Sequence, residues 1–190
     1  MHPPNPPNPS SALRRAFFQK SLLGITGLGM TAGGAWLAML HHQKKVVPTE
    51  FWQAKVQDLD GATWQLSKLK GKNLLINFWA TWCPPCVHEL PEIERFHQVW
   101  ASKGWQTLAL AIDSPAAVQA FVNKNSLELP IAMSHEYGLH YLKLVQNPAA
   151  GLPFSAIISS SGHILEIKNG PTTFAELNAW AHTHTSTAQQ

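Results

Sequence analysis

Leu74-Leu75-Ile76-Asn77-Phe78-Trp79-Ala80-Thr81-Trp82-Cys83-Pro84-Pro85-Cys86 is the stretch that decides the fold. Its first six residues are almost continuously apolar and end in two aromatics, the pattern of a strand buried on both faces of a central sheet. Beyond Cys86, the residues Val87, Leu90, Ile93, Phe96 and Val99 recur every three positions with Glu89, Glu92, Glu94 and Arg95 between them, which predicts an amphipathic helix. The two cysteines of the chain therefore fall where a strand runs into a helix N-terminus. Two thiols separated by two residues can close a disulfide ring and open it again without moving the fold. The leading amides of the helix, and the positive end of its macrodipole, stabilise a thiolate on Cys83 over the thiol. Pro84 and Pro85 bring no backbone N–H to that sulfur, so the expected couple is reducing rather than oxidising.

Working outward, 190 residues with 45% hydrophobic content and a formal net charge of +3 allow one ordinary globular core plus appendages. Part of the positive charge sits at Arg14, Arg15 and Lys20, so the balance makes no case for a nucleic-acid partner. Residues 1–13 are rich in proline and asparagine and lack a periodic apolar face, as in a disordered segment. Residues 14–40 place a basic start before Leu22–Leu40, a run without a charge that is close to the ~20 residues needed to cross a bilayer. This reads as a membrane anchor with a cytoplasmic N-terminus; its five glycines leave a cleaved signal peptide as the alternative. Arg14-Arg15-Ala16-Phe17-Phe18 also resembles a twin-arginine export motif, although Leu13 and Gln19 depart from it. Either route exports the downstream chain into an oxidising compartment, the periplasm.

Residues 41–48 read as a polar tether, 49–182 as the globular domain and 183–190 as a flexible tail. Phe51–Gln57 and Thr63–Leu66 flank Asp58-Leu59-Asp60-Gly61, which signals a hairpin. Thr107–Ile112 is a second buried strand, Pro115–Asn123 a helix, Leu129–Met133 a short strand and Glu136–Val145 another helix. This alternation implies parallel pairing with helices on both faces of the sheet. Ser155–Ser159 and Ile164–Lys168 form a closing hairpin around Ser161-Gly162, followed by a helix over 173–182.

The segment Asn77–Cys86, with Glu89-Leu90-Pro91 and Gly151-Leu152-Pro153 before a strand, resembles the TlpA/ResA/CcmG-like family of exported thiol-disulfide oxidoreductases, over about 49–182. The resemblance implies an α/β thioredoxin-like fold: a central mixed sheet flanked by helices, with an N-terminal hairpin and a central insertion over Pro115–Ala150. It implies that Cys83 is the exposed attacking thiolate and Cys86 the resolving thiol. Pro153 matches a cis-proline whose preceding residue, Leu152, offers backbone groups to an extended substrate chain, with Trp82, Pro84 and Pro85 at the rim. Glu89 matches an acidic residue associated with cysteine proton transfer, although its position also suits a plain first-turn glutamate. Asn77 stands where thioredoxins proper carry a buried aspartate, so the proton acceptor must be Glu89 or water. Phe154 and Ser159 depart from the family's usual threonine and aspartate, near or behind the substrate groove.

No organic cofactor is needed and no metal is assigned. The ten histidines share no ligand spacing, and several lie in the expected tails or tether. Cys83, Cys86 and His88 could offer soft ligands to Cu(I), one alternative; an oxidising enzyme of the same fold is the other. Val87 after Cys86 excludes a haem-attachment motif. The implied partners are protein disulfides or dithiols, such as apocytochrome c or copper-site cysteines, and a membrane electron donor.

Overall fold

The computed structural model describes residues 45–186. In chain order the elements are α1 (Thr49–Gln53), β1 (Lys55–Asp58), β2 (Thr63–Gln65), β3 (Asn73–Trp79), α2 (Pro84–Trp100) and β4 (Trp105–Ala111). There follow α3 (Pro115–Asn125), β5 (Ile131–Met133), α4 (Gly138–Leu144), β6 (Phe154–Ile158), β7 (Ile164–Asn169) and α5 (Phe174–Ser186). The seven strands form one mixed sheet in the order β2-β1-β5-β4-β3-β6-β7. β3, β4 and β5 run parallel, while β6 runs antiparallel to β3 and β1 antiparallel to β5.

The central strand works by its two-residue period. Leu74, Ile76 and Phe78 enter one buried cluster with Leu108, Leu110, Leu142 and Phe154. Leu75 and Trp79 enter the other, under α2 and α5, with Ile93, Phe96, Trp100 and Leu177. Asn77 shares the face of Leu75 and Trp79, and so points a carboxamide beneath α2 where a strand of this kind normally carries an apolar side chain. Each fully buried large apolar side chain contributes about 1.5–3 kcal/mol, and both faces of β3 draw on that gain.

The expected strand over Phe51–Gln57 begins instead as a helical turn, Thr49–Gln53. Phe51 and Trp52 are both buried in the same core cluster, which adjacent residues of a strand, pointing to opposite faces, cannot provide but a helical turn can. The expected tether also shortens, because Val46 bridges to His163 and the buried Val47 donates its N–H to the Gly162 carbonyl at 2.8 Å. The last helix runs on to Ser186, past the expected start of a frayed tail. The anchor expected over 14–40 and the disorder expected over 1–13 lie outside the described residues. Among the described residues no helix is long and apolar enough to cross a membrane.

Gly138 opens α4 where it meets the end of β4. A Cβ there would stand 2.7 Å from Ile112 Cγ1 and collide with Ser134 Oγ. Gly138→Ala is expected to cost about 1–3 kcal/mol, seen as a lower urea midpoint at unchanged m.

Candidate functional site

The site is built where β3 ends. Trp79 hands the chain to Ala80-Thr81-Trp82, and Cys83 is the N-cap of α2 with extended φ −104° and ψ 99°. Pro84 and Pro85 occupy the first positions of α2, where their missing N–H groups cost the helix nothing. The Cys83 carbonyl accepts the Val87 N–H at 3.1 Å, and with prolines at 84 and 85 it is Cys86 that carries the backbone N–H of the first turn. Cys83 and Cys86 are joined by a disulfide, with Cα atoms 5.3 Å apart.

In this state the expectation of an exposed Cys83 is corrected: the residue is 5% exposed and Cys86 is fully buried. Both cysteines belong to the core cluster under α2, and the accessible surface comes from the rim residues. Trp82 is 66% exposed, and Pro84 and Pro85 are exposed beside it. Trp79 is fully buried and stacks obliquely on Phe121, which separates the core tryptophan from the rim tryptophan. The loop carrying Trp82 is pinned by Asp113, whose Oδ2 accepts Thr81 N–H at 3.0 Å and Thr81 Oγ1–H at 2.5 Å.

Beneath the disulfide lies a buried polar cluster. Glu89 follows Cys86 by one helical turn and so shares its inward face. It is 1% exposed and lies beyond the first turn of α2, which differs from the plain first-turn glutamate that its position also suited. Its Oε1 accepts Asn77 Nδ2–H at 2.7 Å, and its Oε2 accepts the Thr172 N–H at 2.6 Å and the Thr172 hydroxyl at 3.2 Å. Asn77 Nδ2 also donates to Ser155 Oγ at 3.0 Å. Burial pushes the Glu89 carboxyl above its ordinary value of 4.5, against the lowering pull of the Thr172 and Asn77 hydrogen bonds; the charge on Glu176 adds a small push upward.

The Leu152–Pro153 peptide bond is cis, and the Pro153 carbonyl accepts the Gly170 N–H at 2.9 Å. Pro153 leads directly into β6, whose Phe154 pairs with Phe78 at the cysteine end of β3. Phe154 itself is fully buried on the opposite face against Phe78, at 6.1 Å between ring centres, so it belongs to the core and does not line the expected substrate groove. Ser159 follows the end of β6 near Asn73, where β3 begins, and its hydroxyl accepts the His163 N–H; it lies at the far end of the sheet from the cysteines. His88 is exposed on α2. Among the described residues there is no group of three or more His, Cys, Asp or Glu placed to hold a metal ion.

Thr172, Ser155 and Asp113 were not legible as site residues. Each reaches the site from a separate element, and Thr172 meets a partner 83 positions away. The one local signal was the polar Asn77 in an apolar strand, whose parity marks the face on which its partners lie.

The arrangement, a dithiol–disulfide pair at a helix start above a buried carboxyl, performs reversible two-electron exchange with other disulfides. The Redoxin family pattern matches residues 46–180. The thiol-disulfide oxidoreductase ResA of Bacillus thuringiensis (strain Al Hakam) is 34% identical over 127 residues, covering 66% of this chain and 70% of that protein. ResA of Halalkalibacterium halodurans is 31% identical over 119 residues, covering 62% and 65%. Among solved structures, a thiol:disulfide interchange protein of the thioredoxin family from Chlorobium tepidum TLS superposes with a TM-score of 0.60 at 26% identity, over 68% of this chain and 90% of that one. StoA from Bacillus subtilis gives 0.56 at 25% identity, over 67% and 94%. The chain belongs to the Redoxin family and is a thiol-disulfide oxidoreductase of thioredoxin-like fold.

Proposed function

We propose that this enzyme reduces disulfides in exported proteins, held at the periplasmic face of the inner membrane by its uncharged segment Leu22–Leu40. The observation that carries this reading is the Cys83–Cys86 disulfide at the start of α2, with the exposed Trp82 beside it. In the reduced enzyme, the Cys83 thiolate attacks one sulfur of a substrate disulfide. The S–S bond breaks, the other substrate sulfur leaves as a thiolate, and a mixed disulfide forms. Cys86 gives up its proton, attacks Cys83 Sγ and releases the second substrate thiolate. Two electrons pass to the substrate, and the enzyme is left with the intramolecular disulfide.

Glu89 takes the Cys86 proton. It lies one turn along the same helix face, and burial brings its carboxyl toward the pH at which proton transfer is effective. Leu152 and Pro153 bind the substrate chain beside the sulfurs, and Trp82, Pro84 and Pro85 form the rim of that contact. The oxidised enzyme is returned to the dithiol by a membrane electron donor. Apocytochrome c and copper-site cysteines are the substrate classes that the family resemblance offers.

Pro84 and Pro85 withhold the amides that would favour the thiolate, and so the reduced state, of a strong oxidant. Equilibration of the cysteine pair against glutathione is expected to give a reduction potential below roughly −200 mV. A value near about −120 mV would identify an oxidant instead.

A further inference from the structure

Between α4 and β6 the chain makes a short excursion, Val145-Gln146-Asn147-Pro148-Ala149-Ala150-Gly151, that ends at Leu152. Two of its residues, Gln146 at φ 71° and Ala150 at φ 51°, sit in the left-handed region that side chains with a Cβ seldom adopt. Such conformations persist only where the surroundings over-determine them, and they collect at ligand clamps. The residue that fixes this excursion is Asn147, a polar side chain only 1% exposed. Its N–H donates to the Leu142 carbonyl at 2.9 Å, and its carbonyl accepts the Ala150 N–H at 3.1 Å. Its Nδ2 donates to the Gly151 carbonyl at 2.9 Å.

The last bond controls more than a loop. The Gly151 carbonyl and the Leu152 N–H belong to one planar trans peptide, so they point in opposite directions. Drawing the carbonyl inward onto a buried carboxamide turns the Leu152 N–H away from the interior. Among the described residues no backbone–backbone hydrogen bond engages the N–H or the C=O of Leu152, while its side chain packs partly buried against both core clusters. On the following side, the Pro153 carbonyl is already committed to Gly170. Leu152 thus has an anchored side chain and an open backbone edge, held at one end by Asn147 and at the other by Gly170, just past β7.

We propose that Asn147 is a positioning residue for substrate recognition, holding the Gly151–Leu152 peptide so that its N–H meets a carbonyl of the extended polypeptide flanking a substrate disulfide. The proposal rests on the reading that protein disulfides are bound at Leu152. It separates two kinds of substrate, because a peptide disulfide has a backbone to accept this hydrogen bond and a small disulfide such as hydroxyethyl disulfide has none.

The test compares both substrates with the wild-type enzyme, Asn147→Ala and Asn147→Asp, after urea midpoints confirm folding. Asn147→Asp keeps the side-chain shape while removing the donor above the titration of its carboxyl, and restores an O–H donor below it. For both variants at neutral pH, KM for the peptide disulfide is expected to rise about tenfold, equivalent to ~1.4 kcal/mol. The rate with hydroxyethyl disulfide and the reduction potential should stay unchanged, and the Asn147→Asp defect should shrink on acidification. An unchanged peptide KM, or equal losses on both substrates, would overturn the proposal. A wild-type enzyme that handles the peptide no better than the small disulfide would instead remove the substrate reading beneath it.

Discussion

Cys83→Ala is expected to remove disulfide turnover by on the order of 10³-fold or more, since no other thiol in the chain can begin the attack at a helix start. The helix itself should survive. The Cys83 side chain makes no capping hydrogen bond, so alanine removes no support from α2. Loss of the crosslink, whose cysteines are three positions apart, costs about 2 kcal/mol in the chain-entropy account. Cys86→Ala loses the same crosslink and so serves as the matched control for stability. Their chemistry should differ: Cys86→Ala keeps the attacking sulfur, and one equivalent of substrate disulfide is expected to react before the enzyme stalls. Stopped assays that count released thiol per enzyme distinguish a single event from none.

A second large effect is expected on stability as a function of pH. In the native wild-type protein Glu89 holds its proton more tightly than in the unfolded chain, where the ordinary value is 4.5. Between that value and the raised one, the folded state binds more protons than the unfolded state. Stability therefore falls as pH rises through this window, and the contribution of Glu89 is fully present only below it. Asn77→Asp places a second carboxyl against Glu89 Oε1, which Asn77 Nδ2 now approaches at 2.7 Å. Two carboxylates at that separation share one proton and titrate as a pair. The other groups facing them do not relieve the repulsion: Thr172 and Ser155 are neutral, and Glu176 is acidic and already paired with Lys168. The native N77D protein should retain a proton that the unfolded chain has released. Its stability should then drop by up to about 1.4 kcal/mol per pH unit as pH rises above the ordinary carboxylate range, more steeply than that of the wild type. Urea midpoints across that rise check it, and parallel profiles for the two proteins would refute the coupling.

The parts of the molecule that repeat at short range were legible in the sequence. The continuous apolar strand at 74–79, the three-residue spacing after Cys86 and the strand at 107–112 each carry their structural class within a few residues. The helical turn at 49–53 did not, because the adjacent Phe51 and Trp52 fit either reading until the core they enter is known. Val46 and Val47 looked like tether for the same reason: only the His163 end of the β6–β7 hairpin gives them a partner. At the site, Cys83, Cys86 and their rim were visible from two thiols and two prolines. Glu89 was ambiguous because its burial depends on Thr172, across a gap no local period spans. Asn147 carried no signal, since a polar residue before proline in a loop resembles an ordinary turn until its carboxamide is seen on the Gly151 carbonyl.

The measurement that bears most directly on the assigned order of attack is the site of attachment of a trapped substrate. Cys86→Ala and Cys83→Ala proteins, each reduced and offered the same disulfide-bonded peptide, are digested without reduction and the cross-linked fragments identified by mass. A mixed disulfide is expected on Cys83 in Cys86→Ala, with little or none on Cys86 in Cys83→Ala. Equal trapping by both variants, or attachment through Cys86, would contradict that order.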